Sequence, residues 1–128
     1  MANNLVTAEA DRLTNAMLNG TAYTLPTTPM KLALATTAST AAAAGTEVTG
    51  GSYARQTIAF TTSAGSGVSN SGAVTYTNMP ATTVTHVDIY DSNGTPRRAL
   101  FGALTASKTT ASGDTLSFAV SAVSFVLT

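Results

Sequence analysis

The single histidine of the chain, His86, stands two residues before Asp88, and in an extended segment that spacing puts both side chains on one face. A serine-type hydrolase needs such a pair: the imidazole takes the nucleophile's proton and the carboxylate holds the ring in its working tautomer. Serine and threonine are so abundant here that a nearby hydroxyl carries little information, and no G-x-S-x-G elbow singles one out. His86 therefore reads as a strand-surface or interface residue. Asp88 and Asp91 could serve as the paired acids of a glycosidase, but they flank a turn, where an aspartate bonding its own backbone explains Asp91 more simply. Asp88, Asp91 and Asp114 could offer oxygens to calcium, yet no D-x-D-x-D-G loop surrounds them. Arg97-Arg98 lacks the further cations and glycine cradle of a phosphate site and reads as a hairpin or interface ion-pair donor. Gly65-Ser66-Gly67 lacks the Lys-Ser/Thr ending of a P-loop. No catalytic residue, cofactor or metal is expected.

Those residues sit on a regular pattern of elements. Val6, Ala10, Leu13 and Met17 share one face at a 3.6-residue period and predict a helix ending near residue 20. Asn4 or Thr7 could supply its N-cap, Glu9 and Asp11 suit its positive end, and Gly20 suits a left-handed C-cap. So short a helix is marginal alone, and Leu13 and Met17 are expected to dock on the sheet or on a neighbouring subunit. Pro26 and Pro29 punctuate a connector over residues 21–29, after which the period becomes two. Met30, Leu32 and Leu34 alternate with Lys31, Ala33 and Ala35. The Ala41–Ala44 block is too short to nucleate a helix and reads as loop.

Further strands are predicted over 55–61 (Gln56, Ile58 and Phe60 on one face), 73–77 (Val74, Tyr76), 84–90 (Val87 and Ile89 inward) and 99–104, with residues 63–72 as a loop. Asn93-Gly94 predicts a type I′ hairpin pairing the last two. After a turn at Ser112-Gly113-Asp114, Leu116, Phe118 and Val120 alternate, then Val123, Phe125 and Leu127. The break at Ser121-Ala122 suggests a bulge or a strand crossing between sheets. The expected fold is mainly β: an antiparallel β-sandwich or Greek-key barrel of about seven strands, with one N-terminal α-helix over residues 1–20 and a single sandwich domain over 21–128.

A chain of 128 residues holds one core. Six basic and six acidic residues give zero formal net charge, and there is neither cysteine nor tryptophan. Thiolate chemistry and cysteine zinc sites are excluded, and no electrostatic footprint invites nucleic acid or an anionic membrane. The opening MANNLVTAEADRL has neither the charge nor the apolar run of a secretory signal, and nothing approaches the ~18 apolar residues of a spanning helix. Charged residues make up only 9% of the chain, against roughly 25% in soluble domains. Such a surface has little colloidal repulsion and suits an assembly.

The segment Gly45-Thr46-Glu47-Val48-Thr49-Gly50-Gly51-Ser52-Tyr53-Ala54-Arg55 resembles a family of small virion proteins of tailed bacteriophages, described as head-decorating, minor tail or tail-fibre-associated. MKLALATTAST, SNSGAVTY, VTHVDIYD and GALTASKTTASGDTLSF extend the similarity from about Met30 onward. Physically, Gly50-Gly51 allows a sharp turn before a strand, Tyr53 can cover a sandwich edge while its hydroxyl stays wet, and Arg55 can bridge loops or subunits. The resemblance implies a non-enzymatic structural protein of the virion, assembled in the host cytoplasm. The leading expectation is a capsid decoration or cement subunit contacting the major capsid protein. The alternative is a tail-attached accessory protein, a minor tail or tail-fibre protein or a receptor- or carbohydrate-binding module meeting a host surface glycan. A polysaccharide-depolymerising enzyme is the least supported. A homo-oligomer, a trimer by preference, is expected, with Leu13, Met17, Glu47, Tyr53, Arg55, Arg97 and Arg98 as candidate interface residues.

Overall fold

Beyond Pro29 apolar and polar side chains alternate, and there the sheets begin. The computed structural model describes residues 4–127; residues 1–3 of the opening segment and Thr128 lie outside the described residues. One helix, α1 (Thr7–Asn19), precedes eight strands: β1 (Met30–Ala35), β2 (Gln56–Ile58), β3 (Gly67–Ser69), β4 (Val74–Met79), β5 (Thr82–Tyr90), β6 (Arg98–Thr110), β7 (Asp114–Phe118) and β8 (Ser124–Val126). They form a four-stranded sheet in the order β2-β1-β5-β6 and two ribbons, β3-β8 and β4-β7. All these pairings are antiparallel. The fold is mainly β, as the alternation predicts, with one strand more than expected.

Period-two patterning decides the layers. Leu32 lies opposite Ile89 and Leu34 opposite Val87, so one sheet face presents these four to the core. The β4-β7 ribbon answers with Val74, Tyr76, Met79, Leu116 and Phe118, and Val123 and Phe125 close the end, all buried. Fully burying each large apolar side chain contributes about 1.5–3 kcal/mol. The opposite sheet face carries Ala33, Asp88 and His86. Segment 36–46 folds back over it: Ser39 Oγ donates to Asp88 at 2.7 Å, and Arg98 reaches both Asp88 and the Thr40 carbonyl at 2.8 Å.

Two tyrosines complete the edge of β1. β2 leaves β1 at Leu32, and the chain pairs again only where Val48 N–H meets the Leu34 carbonyl. In the gap the Tyr76 hydroxyl donates to the Leu32 carbonyl at 2.7 Å, and the Tyr53 hydroxyl accepts the Leu34 N–H at 2.9 Å. Their rings stack with centroids 5.8 Å apart. Each hydroxyl replaces a missing strand neighbour, which a buried backbone group requires.

The break at Ser121-Ala122 is a crossing. β7 pairs with β4, and β8 pairs with β3 in the other ribbon, with Ser121 at φ 65° between them. Val120, expected inward, is 57% exposed as a result. The Asn93-Gly94 hairpin is corrected. β5 and β6 do pair, but neither residue takes the positive φ of a type I′ turn. The Asp91 carboxylate instead gathers the N–H groups of Arg97, Asn93 and Thr27 and organises a wider loop. β3 was not predicted: it lies in a glycine- and serine-rich stretch that pairs only because β8 passes beside it. The strand expected over 55–61 is regular only at β2, and Phe60 makes a lone bridge to Asn70. Val84 joins the buried face because the register shifts between Val84 and His86.

The N-terminal segment also differs. Val6 occupies the N-cap with no side-chain bond, while the Thr7 N–H is taken by the Ala41 carbonyl. Asn4 is spent elsewhere: its side-chain oxygen accepts the Val126 N–H and its own N–H bonds to the Val126 carbonyl. Leu5 bridges Leu100, so residues 4–6 lie along the free edge of β6. Gly20 is the left-handed C-cap, at φ 68°.

Candidate functional site

The candidate interface residues fall into two groups. Glu47, Tyr53 and Arg55 form a single cluster, because the turn at Gly50-Gly51 brings residues 47 and 53–55 side by side. Gly51 has φ 57°, and a Cβ there would lie 2.4 Å from the Asn78 carbonyl oxygen, so the turn needs glycine. Arg55 grips Glu47 through two bonds, Nε to Oε1 at 2.9 Å and Nη2 to Oε2 at 2.8 Å. The Tyr53 hydroxyl donates to the same carboxylate at 2.8 Å. Arg55 also lies over the Tyr90 ring, 3.7 Å from its centroid, a favourable cation–π contact. Burial alone would push the Glu47 carboxyl up; the hydrogen bonds from Arg55 and Tyr53 outweigh it, and the net direction is down. Burial pushes the Tyr53 phenol well above its ordinary value. Its hydroxyl is spent inside the chain, contrary to the wet edge cover expected.

The second group surrounds Glu9, which is only 2% exposed. It is the buried side chain of α1. Arg97, arriving from the 91–97 loop, donates to both carboxylate oxygens, with Nε to Oε2 at 2.7 Å. Arg12 donates from one helical turn away at 2.9 Å, and the Tyr23 hydroxyl donates from the connector. Arg97 also reaches the Thr24 carbonyl at 2.8 Å. Burial raises the Glu9 pKa, but the bonds from Arg97 and Tyr23, with the Arg97 charge and Arg12, carry it below the ordinary 4.5. Arg98 completes the set through Asp88. All four arginines are thus held in intrachain ion pairs.

Leu13 is half-buried and Met17 is 76% exposed, so the expected docking of this stripe on the domain does not occur within one chain. Leu18 and Leu25 are equally bare, at 76% and 75%. Between the first turn of α1, Ala41-Ala42 and residues 95–98 lies an open groove of about 670 Å³. His86 and Asp88 share a face but not a bond: His86 Nδ1 lies 2.9 Å from Thr85 Oγ1, while Asp88 is held by Ser39 and Arg98. Among the described residues no group of three or more His, Asp or Glu is placed to hold a metal ion, and no helix is long and apolar enough to cross a membrane. Sequence reasoning missed Glu9, Tyr23 and Tyr76. The Glu9–Arg12 spacing was visible, but Arg97 lies 88 positions away.

This is a small antiparallel β domain with a helical arm, stapled by its own ion pairs and leaving bare apolar side chains on the arm and its connector. The family described as podophage GP4 fiber I protein gp80 matches residues 4–126, and the chain belongs to it. It is a fibre-associated structural protein of a bacteriophage virion. That result favours the tail-side alternative over capsid decoration. No curated protein matches the chain.

Proposed function

We propose that the protein is a non-enzymatic accessory subunit of the phage tail fibre, working by contact with other tail proteins and with copies of itself. The observation that carries this reading is the allocation of charge. The four arginines are paired with intrachain carboxylates, so the accessible surface carries few unpaired charges, among them Asp11, Lys108 and Asp114, beside hydroxyls, methyl groups and the bare Met17, Leu18 and Leu25. A surface with so few free charges resists association weakly, and a fibre repeats each weak contact. A small homo-oligomer, a trimer by preference, fits such a repeat. Met17 and the adjoining turn of α1 are the contact region proposed here, whereas Glu47, Tyr53, Arg55, Arg97 and Arg98 act by holding the domain's shape.

Separating purified virions into heads and tails and measuring this chain in each by mass spectrometry tests the location; it is expected with the tails. Light scattering of the recombinant protein tests the oligomer, and Met17→Ser with Leu18→Ser is expected to shift it toward monomer. Recovery of the chain with heads alone overturns the fibre assignment.

A further inference from the structure

Most helices in globular proteins are fixed by an apolar stripe against the core. α1 is not: its buried side chain is a carboxylate, Glu9, while Met17 and Leu18 face outward. The segment is nevertheless fixed at both ends. On one side Val6 N–H bonds to the Ala99 carbonyl and residues 4–6 line β6. On the other, Thr27 N–H reaches the Asp91 carboxylate at 3.1 Å and the Thr27 carbonyl accepts from Ser92 N–H at 2.9 Å. Between these anchors the attachments converge on one point. Arg97, from the domain, meets both Glu9 and the Thr24 carbonyl, while Tyr23 bonds to the same Glu9 from within the connector. Thr7 N–H to the Ala41 carbonyl only marks the start of the helix.

We infer that α1 and its connector form a releasable strap, latched to the β domain at the Glu9–Arg97–Tyr23 cluster and able to open while the sheets stay folded. The physical reason is a separation of cores. The sheets share one apolar cluster to which no residue of α1 belongs, so opening the strap exposes almost no core surface. A removed partner at a buried ion pair, by contrast, leaves an uncompensated charge and is strongly unfavourable. A helix of 13 residues detached from that pair does not hold its own turns in water. Opening is therefore local and cooperative within the strap.

Arg12 makes this measurable. It is the one trypsin site between the start of α1 and Lys31, and cleavage there requires the helix to unwind. In Glu9→Gln the Arg12 cut is expected at least ~10-fold faster than in the wild-type protein, with Lys31, Arg55 and Lys108 as resistant as before. Leu13→Ala, which trims the half-buried apolar residue and keeps the latch, is expected to stay within about twofold. Hydrogen exchange on the unmodified protein supplies a second reading, with amides of α1 expected to exchange at least ~100-fold faster than those of β1 and β5. An unchanged Arg12 cut in Glu9→Gln, an equal acceleration in Leu13→Ala, simultaneous cleavage at all sites, or α1 amides protected like those of β5 would each overturn the strap.

Discussion

Tyr76 and Tyr53 stand in for a strand at the edge of β1, and the two hydroxyls are not equivalent to a phenylalanine ring. Tyr76→Phe leaves the Leu32 carbonyl without its donor in the core, and an unsatisfied buried acceptor costs about 1–3 kcal/mol. Chemical denaturation is expected to show that loss with an unchanged m-value. Glycines separate in the same way. Gly51→Ala is expected to destabilise by more than ~1 kcal/mol, because the position combines positive φ with a backbone oxygen 2.4 Å from the new Cβ. At Gly94, where nothing lies within 4 Å and φ is outside the left-handed region, alanine is expected to be neutral or stabilising by up to ~1 kcal/mol. Three carboxylates set the acid limit. Glu9, faced by Arg12, Tyr23 and Arg97, and Glu47, faced by Tyr53 and Arg55, titrate below their ordinary 4.5, and Asp91, held by backbone N–H groups, titrates below 3.8. A depressed folded-state pKa contributes stability above the unfolded value and loses it as pH falls through the folded one. From these groups the melting temperature is expected to stay level above about pH 5 and to fall progressively below it, and Glu47→Gln is expected to flatten part of that fall.

At the level of elements, strands whose alternation is clean were legible, and elements dependent on distant partners were not. Leu32, Leu34, Val74, Tyr76, Val87 and Ile89 announce their faces locally. Ser121-Ala122 also announced itself, because a break in period two has only a few geometric outcomes. β3 could not be read, since Gly67-Val68-Ser69 is a strand only in the presence of β8. Asn93-Gly94 misled for an electrostatic reason: the Asp91 carboxylate captures three N–H groups and imposes a wider loop than the dipeptide prefers. α1 was placed correctly, but its attachment within the chain was not: docking of Met17 on the sheet does not occur, and the helix is held instead through Glu9, whose partner Arg97 lies 88 positions away. The crossing after β7 separates two neighbouring sites sharply. Phe125→Ala, which empties a fully buried position packed edge-on to Phe60, is expected to cost about 3–5 kcal/mol. Val120→Ser, only five residues earlier in the chain, is expected to stay within about ±0.5 kcal/mol. Paired thermal melts of the two variants test the assignment of faces on either side of Ser121.

For the molecule as a whole, the class was carried by the resemblance of the 45–55 segment and its companions, and the family match over residues 4–126 bears out its tail-fibre-associated part. Scarcity of charge pointed to an assembly, and the structure shows where the four arginines went: into ion pairs with Glu9, Glu47 and Asp88. The turn at Gly50-Gly51 was legible because it is local, whereas the bonding of Glu47, Tyr53 and Arg55 to one another was not, since the sequence suggested a solvated Tyr53 hydroxyl and an Arg55 free to bridge loops or subunits. The geometry of Asn4 beside Val126, donor to acceptor in both directions, carries one more consequence. Residues 4–6 and the last strand, β8, meet as neighbours, so the domain is topologically close to a ring. A short flexible linker joining these ends, with the backbone reopened at the exposed Gly94–Thr95 bond, is expected to give a circular permutant whose far-ultraviolet spectrum matches the natural protein. By the same geometry, an insertion carrying this domain would enter and leave its host at almost one point.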